Sequence, residues 1–359
     1  MPEPDAELVS VIVRSMARPT LSTALQSLAT QDYAPIEVLV VAACGATHPP
    51  VAERCGPHRM RLVASTSSLS RPAAANAGLA AACGDWITFL DDDDACLPGH
   101  VSGLMHARAD APAARVVYSH ARAVFADGRT ERFGQPFSMM QLYERSFIHL
   151  STAIIARSLL DEGCRFDETL DIHEDWDFFL QCAQHARFHF AQLETFRWNA
   201  DAGTSGAGGG ANQDDRRFAE LRDRVYAKWA IPREALIDHV RSMLQKASAL
   251  AGERDLGGAE AACREALDAS PNDPWALNLL AMIQRSRNRL AEARATMELA
   301  AAVRPQDHTM VYNLALLCQA LGDNAAAVRH CESALQLEPG FAAAQKLRAT
   351  LAAAGQAVY

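Results

Sequence analysis

The chain has 359 residues, which is too long for one comfortable hydrophobic core and predicts two domains. Hydrophobic residues make up 49% and charged residues 21%, a balance that is typical of globular proteins and excludes an intrinsically disordered chain. The formal net charge of −9 does not favour binding to a nucleic-acid backbone.

The chain also lacks the usual signals of export. Its nine cysteines are scattered without zinc-ligand spacing, so reduced thiols are the simplest interpretation. The N-terminus is acidic and has no apolar run of the signal-peptide type, and no stretch approaches about 18 uninterrupted apolar residues. We therefore expect a cytoplasmic protein, which a partner could still hold at the inner face of a membrane.

The N-terminal half alternates short apolar runs with helical patterns. These patterns predict strands over 8–13, 36–42, 61–63 and 86–90, and helices over 19–29 and 71–82. This order predicts an α/β domain with a mostly parallel sheet, in which ligands lie beyond the carboxyl ends of the strands. Both Arg14-Ser15 and the acidic run Asp91–Asp94 lie at such ends.

The following stretch is more mixed. It predicts two strands of a hairpin or meander at 116–119 and 121–125, a turn at Asp127-Gly128, and helices at 173–186 and 216–229. The glycine-rich segment 203–210 predicts a loop, which either closes over a bound donor or is plain surface. Pro232 marks the predicted end of this domain, which we place at 1–232.

An internal repeat of 34 residues follows, within a predicted domain at 235–359. Its period relates Pro271, Pro305 and Pro339, and also two alanine series, at 259, 293 and 327 and at 266, 300 and 334. Small residues let paired helices pack closely, and the proline ends the second helix. The repeat resembles the tetratricopeptide repeat (TPR), with 347–354 as a capping helix; a generic antiparallel bundle is the alternative.

Four adjacent carboxylates follow the apolar strand that ends at Leu90. Asp91, Asp92, Asp93 and Asp94 repel one another, and nothing structural requires them there. A divalent cation such as Mg²⁺ or Mn²⁺ relieves this repulsion and would also bind a diphosphate. The alternative is a solvated acidic turn that caps the next helix, a role that would suit Asp94.

Several short motifs occur in a specific order. The sharpest is Gly84–Asp94, and others are Ser10–Val13, Arg18-Pro19, Leu25–Leu28, Gln31–Tyr33, Ile36–Val41, Ala75–Gly78, Phe166–Glu168 and Glu174–Asp177. In order and spacing they resemble the inverting family-two glycosyltransferases, over about residues 8 to 200. The resemblance implies a GT-A domain, a Rossmann-like nucleotide-diphospho-sugar transferase fold. It also implies metal-assisted transfer of a sugar from a nucleotide-diphosphate donor to an acceptor hydroxyl.

The resemblance also implies roles for individual residues. Asp91 and Asp93 fall on the DxD motif, so Asp93 would coordinate the metal and Asp91 would contact the metal or the ribose. Glu174 and Asp175 fall on the catalytic ED motif, with Asp175 as general base. The implied nucleotide-sugar-binding residues are Val13, Arg14, Ser15, Arg18, Asn76, Asp91 and Asp92, and Val13 to Ser15 would face the base.

Physical chemistry supports this division of labour. A metal stabilises the charge that grows on the leaving diphosphate, and a carboxylate on the opposite side removes the acceptor proton. For Glu174 and Asp175 the alternative role is favourable charge at a helix N-terminus. His149 and His173 are predicted near the acceptor side, although a lone histidine is more often structural. Trp176 either stacks on a sugar or packs in the core.

The chain departs from the family at three places. The segment Ala42–Gly45 holds no acidic residue that could bind the base. The segment Arg14–Ala17 replaces the usual sequence after the first strand. Ala75 replaces the arginine that often precedes Asn76, and Arg71 lies one helical turn earlier. Two alternatives therefore stay open. One is a nucleotidyltransferase, although residues 11–20 lack its glycine-rich loop. The other is an inactive GT-A domain that serves as a scaffold.

The expected partners follow from the same two resemblances. They are a nucleotide-sugar donor, a glycan, lipid-linked or protein acceptor, and a protein partner or second copy bound through the repeats.

Overall fold

The chain divides into two compact units. In the computed structural model, which describes residues 6–200 and 215–356, the first unit comprises Met1–Gln135 and Arg145–Trp229, and the second Pro136–Glu144 and Ala230–Tyr359. The glycine-rich segment 203–210 lies outside the described residues. Sequence patterns did not anticipate that 136–144 joins the second unit, and the domain bounds 1–232 and 235–359 stay predictions.

The first unit is built on one mixed sheet. Its strands are β1 Val9–Ser15, β2 Ile36–Ala42, β3 Arg54–Cys55, β4 His58–Val63, β5 Trp86–Asp91, β6 Ala95–Cys96, β7 Ala114–Val124, β8 Thr130–Phe133, β9 Ala153–Ala156 and β10 Arg187–Asn199. The strand order is β3-β4-β2-β1-β5-β9-β7-β10-β6, with β8 paired to β7. Strands β4, β2, β1 and β5 are parallel, which confirms the predicted arrangement, and β9 runs antiparallel to both of its neighbours.

The helices of the whole chain follow two plans. They are α1 Leu21–Ala29, α2 Arg71–Ala81, α3 His100–Asp110, α4 Met139–Glu144, α5 Glu174–His185, α6 Asp215–Lys228, α7 Ala230–Gly252, α8 Leu256–Ala269, α9 Pro274–Ser286, α10 Leu290–Val303, α11 His308–Ala320, α12 Asn324–Leu337 and α13 Ala342–Gln356. In the first unit the helices alternate with strands. In the second they follow one another directly.

The predicted pair of strands at 116–119 and 121–125 is wrong. Both belong to the single strand β7, because the backbone stays paired to β10 on one side through His120 and Ala121 and leaves no room for a turn. The actual hairpin joins β7 to β8. Its turn at Asp127-Gly128 is as predicted, with Gly128 at φ +83°.

Helix α2 lies unusually close to the central strand β1. A Cβ atom at Gly78 would come within 2.3 Å of the Cγ2 atom of Ile12, so only glycine allows this approach. The helix begins beside Ser70, whose hydroxyl accepts the N–H of Ala73, and Pro72 occupies its first turn. This packing fixes Arg71 at the carboxyl end of the sheet.

The second unit is a helical repeat array. Helices α9 and α11, and likewise α8, α10 and α12, begin at intervals of 34 residues, as the prolines predict. Ala259, Ala293 and Ala327 are completely buried, so the small residues do occupy the helix contacts. The short helix α4 belongs to the same unit, where Met140 packs with Val240, Ala266 and Ala276.

Candidate active site at the carboxyl ends of the strands

Arg14 and Asp91 form the centre of the site. Asp91 is the last residue of β5 and Arg14 the last but one of the neighbouring strand β1, and the two are register partners. The Arg14 guanidinium donates two hydrogen bonds to the Asp91 carboxylate, from Nε at 2.7 Å and from Nη2 at 2.8 Å. Burial alone would raise the pKa of Asp91, but the charges of Arg14 and then Arg71 outweigh it and lower this pKa to about 2. Asp91 is therefore ionised and firmly held.

Glu174 joins this centre from the first residue of α5. Its Oε1 atom lies 3.4 Å from Nη1 of Arg14 and 3.2 Å from Nε of Arg71. Arg71 also lies 3.8 Å from Asp91. Burial raises the pKa of Glu174, and Arg71 opposes that effect. Arg71, one helical turn before Ala75, therefore brings a guanidinium into the site.

Asp92 holds the loop that follows β1. It is completely buried, and its Oδ2 atom accepts hydrogen bonds from the Ser15 hydroxyl and from the backbone N–H of Met16 and Arg18. Its Oδ1 atom pairs with the Arg18 guanidinium. The predicted contact of Asp92 with the nucleotide stays a prediction. In this structure its carboxylate fixes the loop instead.

Asp91, Asp93 and Asp94 form the acidic side of the site. One carboxylate oxygen from each lies within 4.8 Å of those of the other two. Burial, and then repulsion by Asp91, raises the pKa of Asp93, and the same two causes raise the pKa of Asp94 to about 8. Crowded carboxylate oxygens fit a hard divalent cation such as Mg²⁺ or Mn²⁺. Sequence reasoning had assigned Asp91 and Asp93 to the metal and had left Asp94 as a cap.

Asp175 differs from its neighbour Glu174. It is partly exposed, and its Oδ1 atom accepts the backbone N–H of Trp176 at 2.7 Å. Within the described part of the chain, its other carboxylate oxygen accepts no hydrogen bond. His173, immediately before the helix, adopts φ +67°, a left-handed conformation that is uncommon outside glycine. The start of α5 thus presents one buried and one accessible acid.

The remaining predicted binding residues make contacts within the protein. The Val13 side chain is completely buried in the sheet, and Ser15 is buried beneath the loop that Asp92 holds. The amide of Asn76 exchanges two hydrogen bonds with the backbone of Phe166 and donates to Glu168. Their contacts with a nucleotide sugar stay predictions. The observed contacts of Asn76 join α2 to the 166–168 segment, and the hydroxyl of Ser15 joins β1 to Asp92.

Three aromatic residues near the site behave differently from one another. Trp176 is 2% exposed and packs against Tyr226, so it belongs to the core. His173 approaches the carbonyl oxygen of Phe218. His149 is partly exposed, and burial lowers its pKa to about 4, with Asp91 opposing this effect. Sequence reasoning had placed His149 near the site without a role.

The three arginines Arg14, Arg18 and Arg71, together with Asp91–Asp94 and Glu174, form what we call the strand-end cluster. Its position beyond parallel strands is where α/β folds bind ligands. The fold and the cluster together define a protein with a Rossmann-like α/β domain, a group of charged residues at its strand ends and a helical repeat array.

Both parts of the chain match known protein families. Residues 10–162 match the family described as Glycosyl transferase family 2, and residues 250–317 and 308–341 match tetratricopeptide repeats. The chain therefore carries a family 2 glycosyltransferase domain at its N-terminus, followed by TPR repeats.

The individual proteins that the chain matches have low sequence identity to it. The succinoglycan biosynthesis protein ExoO of Rhizobium meliloti (strain 1021) is 29% identical over 187 residues, which cover 47% of this chain and 53% of ExoO. The glycosyltransferase YwdF of Bacillus subtilis (strain 168) is 28% identical over 188 residues, covering 50% of this chain and 69% of YwdF. A solved structure, S. aureus TarS 1-349, matches 98% of this chain and 92% of its own at 15% identity, with a TM-score of 0.45.

The match to ExoO thus spans about half the length of that protein. Among the described residues, no helix is long and apolar enough to cross a membrane.

Proposed function

We propose that the first unit transfers a sugar from a nucleotide-diphosphate donor to an acceptor hydroxyl, with inversion at the anomeric carbon. The observation that carries this proposal is the strand-end cluster with Asp175 beside it. Carboxylates that can hold a cation lie at the end of β5, and an accessible carboxylate opens α5. Such a pair suits a reaction that needs charge stabilisation and proton removal at two separate points.

Asp91, Asp93 and Asp94 would hold the divalent cation, which when bound stabilises negative charge on the leaving diphosphate. Asp175 accepts the proton of the attacking hydroxyl at its free carboxylate oxygen. Glu174 orients Arg14 and Arg71, because both guanidinium groups contact its Oε1 atom. The loop that Asp92 fixes keeps Arg18 beside Asp93, at 3.5 Å.

The helical array is proposed to bind protein. Stacked TPR-type helices form extended surfaces that suit a protein acceptor, a partner enzyme or a second copy of this chain. We propose the same division as before, with catalysis in 1–232 and protein binding in 235–359, and a cytoplasmic site of action.

One observation favours an inactive scaffold as the second candidate. Arg14 occupies both carboxylate oxygens of Asp91, which are the atoms that a metal or a ribose would use. A donor hydrolysis assay with Mn²⁺ separates the two functions. The transferase releases free sugar slowly into water, whereas the scaffold releases none.

Binding tests the metal assignment directly. We expect Asp93→Ala to abolish the Mn²⁺-dependent part of nucleoside diphosphate binding, measured by calorimetry with a panel of nucleoside diphosphates. Asp110→Ala, on the exposed end of α3, is the matched control and should bind as the wild type does. Unchanged binding by Asp93→Ala would remove this residue from the metal site. A thermal-shift screen of nucleotide sugars with and without Mn²⁺ then identifies the donor.

A further inference from the structure

His149 has one ring nitrogen that the protein uses and one that it leaves available. It caps the short helical turn 150–152, where its Nδ1 atom accepts the backbone N–H of Ser151 at 3.3 Å. A neutral imidazole that accepts at Nδ1 carries its proton on Nε2. The cap therefore fixes the tautomer and leaves an Nε2–H donor.

The ring is also fixed in orientation. Its centroid lies 5.0 Å from that of Phe196 and 5.3 Å from that of Trp198, both on β10. Within the described ranges, the Nε2 atom makes no hydrogen bond, and it is not among the buried polar atoms that lack a partner. A donor that is held rigidly and is accessible can bind a ligand group without having to be reoriented first.

Two other histidines of the same unit provide a contrast. His100 is 1% exposed and uses both nitrogens, with Thr195 at 2.8 Å and the carbonyl oxygen of Ser151 at 3.1 Å. His173 directs its Nε2 atom to the carbonyl oxygen of Phe218. Only His149 of these three keeps a donor available beside the strand-end cluster.

The location of this donor indicates its ligand. The ring contacts Trp198, and the next residue, Asn199, donates its backbone N–H to Asp94 at 3.1 Å and its side-chain amide to the carbonyl oxygen of Asp93 at 2.7 Å. His149 therefore lies beside the acidic side of the strand-end cluster, where the diphosphate is proposed to bind. Phosphate oxygens are better bound by the arginines of that cluster and by a cation. A neutral N–H suits an uncharged oxygen, and the group attached directly to a donor's diphosphate is a sugar with hydroxyl groups.

We propose that the Nε2–H of His149 donates a hydrogen bond to a hydroxyl of the sugar being transferred, which makes His149 a residue for donor-sugar recognition. This inference rests on the proposed transferase function. Its distinctive consequence is that His149 contributes to binding of a nucleotide sugar and not to binding of the nucleoside diphosphate alone.

Three substitutions separate the functions of the ring. His149→Phe keeps the aromatic contacts and removes both nitrogens. His149→Asn keeps an oxygen that can accept the Ser151 N–H but does not reach the Nε2 position. His149→Gln keeps an N–H donor of about the right reach. His106→Phe, on the exposed face of α3, is the matched control.

Calorimetry with Mn²⁺ should compare UDP-glucose, UDP-N-acetylglucosamine, GDP-mannose and dTDP-glucose with UDP, GDP and dTDP. For whichever pair binds the wild type, we expect His149→Phe and His149→Asn to lose about 3- to 10-fold in nucleotide-sugar affinity, the worth of one neutral hydrogen bond. Affinity for the matching diphosphate should stay unchanged, and His149→Gln should recover part of the loss.

Other outcomes overturn the inference in distinguishable ways. Equal losses for the sugar and the diphosphate would make His149 a structural residue. Unchanged donor affinity in the Phe and Asn variants would exclude the contact with the donor sugar. If the wild type binds none of these nucleotides, the proposed function fails as well.

Discussion

The two units each contain a cluster of arginines and carboxylates, and the clusters differ in their balance of charge. In the second unit, Glu260 accepts hydrogen bonds from Arg264 at 2.8 Å, from Arg287 at 2.6 Å and from Arg289. We call these four residues the repeat cluster. One carboxylate is surrounded by three guanidinium groups, and these hydrogen bonds connect α8 to the turn between α9 and α10.

The strand-end cluster has the opposite balance. Five carboxylates, at Asp91–Asp94 and Glu174, face three arginines, and burial, followed by repulsion from Asp91, raises the pKa of Asp93 and of Asp94. Both clusters have an excess of one sign, but the arginines of the repeat cluster are 29–60% exposed and solvent screens their charge. In the strand-end cluster the excess falls on buried acids, Asp92, Asp94 and Glu174, and buried charge that the protein does not neutralise is available to a ligand. An excess of buried charge, and not the presence of ion pairs, therefore distinguishes the candidate site from the structural cluster.

The largest expected effect tests whether the site at the strand ends is catalytic. Asp175→Asn keeps the shape of the site and loses proton abstraction, so turnover should fall by about 10²- to 10⁴-fold. Donor affinity should change little, because the diphosphate is bound by other groups. Single-turnover rates and a donor titration measure the two quantities. Near-normal transfer, with only a modest loss of stability, would make Asp175 an ordinary acid at a helix N-terminus.

The second prediction concerns acid, and it distinguishes the units by their histidines. Burial lowers the pKa of His100 to about 4 in the folded protein, from an ordinary value of about 6.5. The unfolded chain therefore binds the proton more readily. The contribution of neutral His100 to the free energy of unfolding is fully present above about pH 6.5. It is lost as the pH falls toward 4, by about 3 kcal/mol in all.

Urea denaturation at pH 7.5 and pH 5 measures this loss. The described histidines of the second unit, His239, His308 and His330, are exposed or partly exposed, so the first unit should unfold first in acid. His100→Asn is the control and should lose about 2 kcal/mol less than the wild type between these two pH values. The same pH dependence in both proteins would contradict a buried neutral His100.

Sequence patterns located the features that depend on local chemistry. Apolar runs identified β1, β2 and β5, the 34-residue period identified the repeats, and four adjacent aspartates identified the end of β5. Each of these signals is contained within a short segment or a fixed spacing, so no knowledge of tertiary contacts is needed to recognise it.

Other features could not be predicted, because they depend on residues distant in sequence. Strand β10 alternates partly buried polar and aromatic residues and gives a weak signal. The six-residue helix α4 is too short to show a period. The function of Asp92 in holding the loop depends on the conformation of that loop, where Ala17 adopts φ +59°. Arg71 reaches the site only because α2 packs closely on β1.

The third prediction tests whether the repeat cluster stabilises the second unit. Glu260→Gln removes the carboxylate that Arg264 and Arg287 share and leaves Arg289 paired with Glu292 alone. We expect it to destabilise the second unit by about 1–2 kcal/mol, since the arginines are partly exposed and screened. Donor affinity should not change. Glu292→Gln is the control, because Glu292 pairs with Arg289 at 3.0 Å but is 54% exposed. Thermal unfolding should barely distinguish this control from the wild type.

The smallest effect tests whether the repeat is maintained by its helix caps. Asp273 and Asp307 occupy the same position in consecutive repeats, and each accepts two backbone N–H groups at the start of its helix. Asp307→Ala should cost about 1 kcal/mol, because the N–H groups of Thr309 and Met310 lose their acceptor. Asp307→Asn still caps the helix and should cost only a few tenths of that.

The control for this series is Asp268→Ala, on the exposed face of α8. It removes a negative charge from the same unit without removing a cap, so urea denaturation should show almost no change. If Asp307→Asn loses as much stability as Asp307→Ala, the charge of Asp307 matters more than its hydrogen bonds. The stability of the helical unit would then depend on charge, a dependence that we attribute to the strand-end cluster alone. The contrast between the two units would in that case be weaker than the geometry indicates.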